Sequence, residues 1–503
     1  MEAHSWRAGR ARSDSGPTTP GSGESDAGED FEDEAHGKRS DRNLRMAAAI
    51  EHESRAPALS EGFHRAKDCM KDTEGDIMRV CLALAMLWLA STATAQEPLT
   101  VVHAGTLLAI PGEAPRTNQT IVVEAERIVR VEDGLTDPAT LGDDVTLVDL
   151  SDKFVLPGLM DMHVHLLGEL GPSSRTEALT MTTSMDALRG AQYARRTLMA
   201  GFTTVRDLGG EPEAIYALRE AVDKGWVPGP RILAAGSALA ATGGHGDVDG
   251  FKAELLALWT PETICDGPYD CRRATRYAIK YGADWIKITA TGGVLSDTAT
   301  GTDQQMTDDE LREIMDTAHG LGVKVAAHAH GTGGINAALR AGIDSIDHGS
   351  FLDDESIRLF QETGAYLVPT LLPSYKLPPM MDSNPFFTEA IKQKAYAASA
   401  AAKENFGKAV RAGINIAFGT DTGVTPHGSN AEEFVLMVEN GMSPMQAIRA
   451  ATVSAAALLE MEDDLGTIEA GKYADIIAVD ASPLENVGVL ENVSVVIRGG
   501  VVQ

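Results

Sequence analysis

Leu159-Met160-Asp161-Met162-His163-Val164-His165-Leu166 is an apolar run that ends in two histidines one residue apart. Strand side chains alternate with period two, so His163 and His165 leave the same face of one strand. Two imidazoles placed that way can share a metal ion if later segments supply the remaining ligands. Alone, the pair also fits polar residues at a strand end. Residues later in the chain decide between the two.

Outward from this run, strand and helix signals alternate between about 154 and 460. The candidate strands are Phe154–His165, Thr203–Asp207, Arg231–Ala235, Trp285–Thr289, Lys324–His330, Ser345–His348, Tyr366–Thr370 and Asn415–Asp421. Helix starts punctuate them. Thr307-Asp308-Asp309-Glu310 is a capping box, and Ser443-Pro444 sets an N-cap before a proline at the first helical position. Eight strands alternating with helices predict an α/β fold, a (β/α)8 TIM-like barrel. An open doubly wound sheet is the other candidate, but no Gly-x-Gly-x-x-Gly turn is present. Short β-rich pieces at both ends of the chain, including Thr120–Val123 and Val493–Arg498, predict a small β-sandwich domain with the barrel inserted. The expected domains are 96–153 and 461–503 as two parts of that sandwich and 154–460 as the barrel.

In such a barrel the C-terminal strand ends converge on one mouth. They carry His163 and His165, Lys287, His328, His348 and Asp421. An aspartate at a strand end often caps the next helix, and a lysine usually lies on a solvated face. Lys287, however, sits inside the apolar Trp285-Ile286-Lys287-Ile288-Thr289, where a lone ammonium is costly to bury. Six ligand-type residues at the expected ends point to a metal centre. His330 shares the face of His328 by the period-two rule, and His245 lies in a Gly-rich loop after the third strand. Both are candidate substrate contacts. The Pro- and Met-rich stretch from Leu371 to Phe387 reads as a loop lining an apolar side-chain pocket, together with the loop Thr291–Leu295.

Residues 1–77 are rich in Ser, Gly, Asp, Glu and Arg, without an apolar period, and read as a disordered or spurious N-terminal extension. From Met78 a basic start, a short apolar core and Ala93-Thr94-Ala95 form a signal-peptide pattern over 78–95. It implies a true start at Met78, a mature chain from about Gln96, and a periplasmic or secreted location. Export would leave Cys265 and Cys271 as a possible small-loop disulfide or as free thiols. The formal net charge of -30 argues against nucleic acid and anionic membrane surfaces as partners.

The chain resembles the binuclear metal-dependent amidohydrolase superfamily over roughly 97–503. The resemblance rests on Leu156–His165, Trp285–Ile288, Val325–Gly331, Ser345–Gly349, Phe418–Asp421 and Gly466–Ile476. Within the superfamily it looks most like the exported prolidase-like group, which includes ochratoxin-hydrolysing amidohydrolases. That resemblance implies two divalent metal ions, zinc by default, and hydrolysis of an amide bond beside a free carboxylate. The substrates would be small molecules: Xaa-Pro-type dipeptides, N-acyl aromatic amino acids or ochratoxin A. It further implies that His163, His165 and Asp421 hold one ion and that His328 and His348 hold the other. Lys287, carboxylated by CO2, would bridge the pair. Hydroxide between the ions would attack, and Asp421 would carry the proton to the leaving amine. Relatives are commonly homo-oligomers. Lactone or phosphotriester hydrolysis is the second reading. A mononuclear deaminase would not need Lys287, and a non-catalytic scaffold would not keep the full ligand set.

Overall fold

The structure, a computed structural model, describes residues 99–296 and 301–503. The expected extension over 1–77 and signal segment over 78–95 lie outside the described residues. Leu99–Leu107 (β1), Arg116–Glu124 (β2), Arg127–Asp133 (β3) and Val145–Pro157 (β4) open the chain. Eight strands come next: Leu159–Val164 (β5), Phe202–Asp207 (β6), Arg231–Ala234 (β7), Trp285–Thr289 (β8), Lys324–Ala329 (β9), Ser345–His348 (β10), Tyr366–Val368 (β11) and Asn415–Ile416 (β12). Ile476–Val479 (β13), Val495–Arg498 (β14) and Val501–Val502 (β15) close it.

The two chain ends pair into one seven-stranded sheet, in the order β15-β14-β13-β4-β1-β2-β3. Its strands carry a separate apolar cluster that includes Val102, Ile121, Ile128, Val155, Ile476 and Ile497. The middle of the chain is mixed α/β, with parallel strands in two arcs, β5-β6-β7 and β8-β9-β10-β11-β12. The arcs meet at both edges. On one side Leu239 donates to Lys287 O at 2.8 Å and Thr289 to Leu239 O at 3.0 Å. On the other, Met162 donates to Phe418 O at 2.8 Å and Asp421 to His163 O at 2.7 Å.

Every residue of β5, β6 and β8 is buried, as strands covered on both faces must be. Period two then sorts the side chains. Ile286 and Ile288 of β8 and Val325, Ala327 and Ala329 of β9 join the large cluster under the helices. Trp285 and Ala326 join a smaller cluster on the opposite face, which Lys287 and His328 share by alternation.

Four sequence expectations need correction. The run Phe154–His165 is not one strand. Up to Pro157 it pairs with β1 and β13, and from Leu159 it pairs with β6. The chain crosses between sheets at Gly158, where a Cβ would stand 2.2 Å from Thr203 Oγ1. Second, three strands end early, at Val368, Ile416 and Ala329. Thr370 (φ +44°), soon after Val368, and Asp421 (φ +58°), farther along from Ile416, take left-handed backbone. Third, β7 stops at Ala234, one residue short. Fourth, Leu371–Met380 is a helix rather than a loop. Proline is harmless in a first turn, where its missing N–H is not needed, and Pro378 and Pro379 fall only in the last turn. Thr307 forms the expected capping box with Glu310, and Ser443 is the expected N-cap before Pro444, with Gln446 completing a second box. Cys265 and Cys271 form a disulfide.

Candidate metal centre

Strand ends place two groups of potential ligands at one mouth: His163, His165 and Asp421, and His328, His330 and His348. In the first, His163 Nε2 and His165 Nε2 are 3.3 Å apart. Asp421 Oδ1 lies 3.5 Å from the former and 3.2 Å from the latter. A tetrahedral site with bonds of about 2.0–2.1 Å has ligand–ligand edges of about 3.3 Å, so the three atoms already have the spacing of one coordination face. In the second group the ring centroids are 4.6–4.8 Å apart. His328 Nε2 is buried with no hydrogen-bond partner among the described residues, a costly state that a cation would relieve. The residues fit a metal.

The neighbours of these rings set their tautomers. His165 Nδ1 lies 2.9 Å from Gly209 O. A carbonyl only accepts, so Nδ1 carries a hydrogen and Nε2 is the atom turned to the site. His348 Nδ1 is hydrogen bonded to Thr370 Oγ1 at 2.7 Å and His330 Nδ1 to Ser350 Oγ at 2.8 Å. His348 itself has φ +72°. Left-handed backbone at a residue with a Cβ costs free energy, and such strain gathers at functional sites.

Burial, with the Lys287 charge behind it, pulls His163 down to about 4. Burial likewise takes His245 to about 4 and His330 to about 3, and holds His328 and His348 well below the usual range. All five are neutral at pH 7 and can donate a lone pair. His165 is different. Burial lowers it, but Asp421 and Asp207 outweigh burial and raise it to about 8. That corner is electronegative and favours a cation. Burial raises Asp421, yet His163, His165 and Lys287 together hold its carboxyl below the ordinary value.

Lys287 is 4% exposed, and its ammonium pairs with Asp347, which is fully buried. Burial lowers the lysine against the pull of that carboxylate. Asp347 also faces His163 Nδ1 at 3.5 Å and Arg206 Nη2 at 3.3 Å. Sequence reasoning passed over Arg206 and the network behind the ligands. The signal was available: Arg206 interrupts the strand Thr203–Asp207 much as Lys287 interrupts its own. Asp161 was also missed. Buried in the quoted run, it accepts from Thr420 Oγ1 at 2.6 Å, Asn430 Nδ2 at 2.8 Å and His163 N at 3.1 Å, and so braces the first histidine.

His245 and His330 both reach the site. The ring of His245 lies 4.2 Å from that of His328, and its Nδ1 meets Ser296 Oγ at 2.5 Å. All eight expected site residues therefore line one cavity of about 290 Å³, near the roughly 300 Å³ lower end of small-molecule pockets. Val294, Leu295, Pro373 and Leu377 form part of its wall. The helix carrying Pro373 is capped by Glu433, whose carboxylate accepts from Leu371 N at 2.8 Å and Leu372 N at 2.7 Å. Burial pushes Glu433 from 4.5 up to about 8. The folded state then holds this proton more tightly than the unfolded one. Glu433 stabilisation is therefore full below about 4.5 and is lost as pH rises through about 8. Urea unfolding should show wild type losing stability relative to Glu433→Gln between pH 5 and 8, and parallel pH profiles would reject the shift.

The amidohydrolase family model matches residues 154–502. This chain belongs to the amidohydrolase family. It is 31% identical to the ochratoxinase of Aspergillus niger over 432 residues, covering 82% of this chain and 87% of that protein. A solved Xaa-Pro dipeptidase with methionine bound in its active site is 40% identical, with a TM-score of 0.76, over 80% of this chain and 99% of its own. The A. niger ochratoxinase structure aligns with a TM-score of 0.71 at 30% identity, over 81% of this chain and 96% of its own. Membership and these structural neighbours imply a TIM-barrel-type fold and a hydrolytic enzyme. The amidohydrolase family is generally metal-dependent, which agrees with the two ligand groups at the mouth.

Proposed function

We propose that this amidohydrolase cleaves an amide or peptide bond next to a free carboxylate, in dipeptides or N-acyl amino acids. The observation that carries the reading is the pair of ligand groups converging on one small cavity, with Lys287 lining it. The names of the relatives support the substrate class: an ochratoxinase and a Xaa-Pro dipeptidase, the latter holding a free amino acid in its active site. In this reading the two arcs close as a (β/α)8 barrel from Leu159 to about 460, and the segment up to Pro157 joins 461–503 in a β-sandwich. Met78–Ala95 directs export to the periplasm or beyond, which the Cys265–Cys271 disulfide supports.

His163, His165 and Asp421 would hold one divalent ion, and His328 with His348 the other, zinc being the default for this donor set. Bound there, such ions would acidify water and polarise the scissile carbonyl. A buried amine pushed toward its neutral form adds readily to CO2, so Lys287 would join both sets as a carbamate. Asp421, kept ionised by its neighbours, takes a proton from the attacking water and passes it to the leaving nitrogen. His245 and His330, neutral and one ring away from His328, orient the substrate. His330→Ala should then raise KM with metal content unchanged; loss of metal would make it a ligand instead. The overall test assays the chain from Gln96, with zinc, on Xaa-Pro dipeptides, N-acyl-phenylalanines and ochratoxin A beside lactones and a phosphotriester. Turnover of the carboxylate-bearing amides is expected. Turnover of only the lactones or the phosphotriester would overturn the substrate class.

A further inference from the structure

The cavity has two unlike halves. One carries the histidines, Lys287 and Asp421. The other is built by elements outside the strands: the segment with Val294 and Leu295, the helix Leu371–Met380, and the helix Glu389–Ala412. Their apolar side chains form a cluster separate from the cores around the two arcs, including Val294, Leu377, Met381, Phe387, Ile391, Ala395 and Ala398. Val294, Leu377, Ala395 and Ala398 face the cavity, while Leu295, Pro373 and Val424 are only half-buried there. A half-buried apolar surface beside a polar centre keeps a cost that an apolar ligand group removes.

Two features fix this wall. Lys394, on the same helix as the alanines, donates to Gly293 O at 2.9 Å and Ser296 O at 2.7 Å, so the segment bearing Val294 and Leu295 is tied to that helix. Ala395 and Ala398 are three residues apart, hence on one helix face. One turn before Ala395 stands the much larger Ile391, fully buried in the same cluster. Small side chains where the helix borders the cavity leave room for a larger group. Among the cavity-lining residues no lysine, arginine, aspartate or glutamate belongs to this wall; Lys287 and Asp421 lie on the other.

We infer that this wall is the side-chain subsite of the substrate and takes a bulky apolar side chain, branched or aromatic, with Ala395 and Ala398 setting its depth. The inference rests on the amide-hydrolase reading proposed for this site. The bound side chain completes the outer apolar cluster, while the reacting bond lies against the histidines.

The experiment measures kcat/KM for Xaa-Gly and Gly-Xaa dipeptides, with Xaa running from Gly through Ala and Leu to Phe and including Asp and Lys. It uses the metal-loaded wild type, Ala398→Leu and the milder Ala395→Val. Binding of N-acetylphenylalanine and N-acetylglycine is followed by calorimetry in parallel. Wild type should favour Phe or Leu over Gly by about 10-fold or more in at least one series. Ala398→Leu should cut the Phe-to-Gly ratio at least about 10-fold, and Ala395→Val should cut it less. A flat profile, a preference for Asp or Lys, or a ratio unchanged in both variants overturns the subsite. If no dipeptide is cleaved, tighter binding of N-acetylphenylalanine that Ala398→Leu abolishes upholds the subsite and removes only these dipeptides from the hydrolytic reading. Equal binding of the two probes then overturns the subsite as well.

Discussion

Lys287→Ala is expected to abolish amide hydrolysis and to leave the protein short of metal. Lys287 is buried on its strand, reaching only the cavity, and Asp347 is its ionic partner. If the lysine served only to neutralise Asp347, Arg206 would still offer that carboxylate a cation, and the mouth residues would keep their places. Metal content would then hold and activity would fall modestly. If Lys287 is instead a ligand common to both groups, its loss removes a donor from each at once. The fall in kcat should exceed the roughly 10–100-fold typical of losing an outer-sphere partner. Metal per chain, read by atomic emission on dialysed protein, should drop in parallel. Acetate or propionate should restore part of the activity, because a small carboxylate can fill the space and supply the missing oxygens. A fully metallated, active alanine variant would refute the bridging role.

The parts of the site that were legible in the sequence are those where chemistry contradicts its surroundings. Lys287 within an apolar strand and the two histidines ending another are costly unless paired or ligated, so they stand out by type alone. The strand order was legible for the same local reason, since runs such as Trp285–Thr289 and Ser345–His348 match their observed limits. Long-range partnership left less trace. Arg206 Nη1 reaches Ser345 Oγ at 3.1 Å across 139 residues, and the bonds from Leu371 N and Leu372 N to Glu433 span 62 and 61. A helix capped by a distant carboxylate has no local N-cap signature, which is why Leu371–Met380 read as a loop. The crossing at Gly158 was hidden likewise. A strand pattern continues through it, and only the close approach of Thr203 shows why the residue must be glycine.

Arg206→Met should cost more stability than any surface change and should also disturb the site. The guanidinium is wholly inaccessible. Its Nε donates to Met162 O at 2.8 Å, one residue before His163, and its plane lies over Trp285, 4.4 Å from the ring centroid. Through Asp347 it also stands behind Lys287 and His163. Methionine can fill much of the volume and keep contact with Trp285, so the packing loss is small. The electrostatic loss is not. Asp347, whose carboxyl is held far below its ordinary value by Lys287, His163 and Arg206 against the cost of burial, would keep fewer cations around it. Removing one partner of a buried charged set costs about 3–5 kcal/mol. If Lys287 becomes a carbamate, its own positive charge is gone as well, and Arg206 is then the one full cation left to Asp347 among its partners here. Urea unfolding of the metal-free protein should show the loss, and CO2 with zinc should reach a lower occupancy in the variant than in wild type. A change below about 1 kcal/mol would mean that Asp347 protonates on losing Arg206. In that case the pH dependence of metal binding should shift upward, because the site must release one more proton to fill.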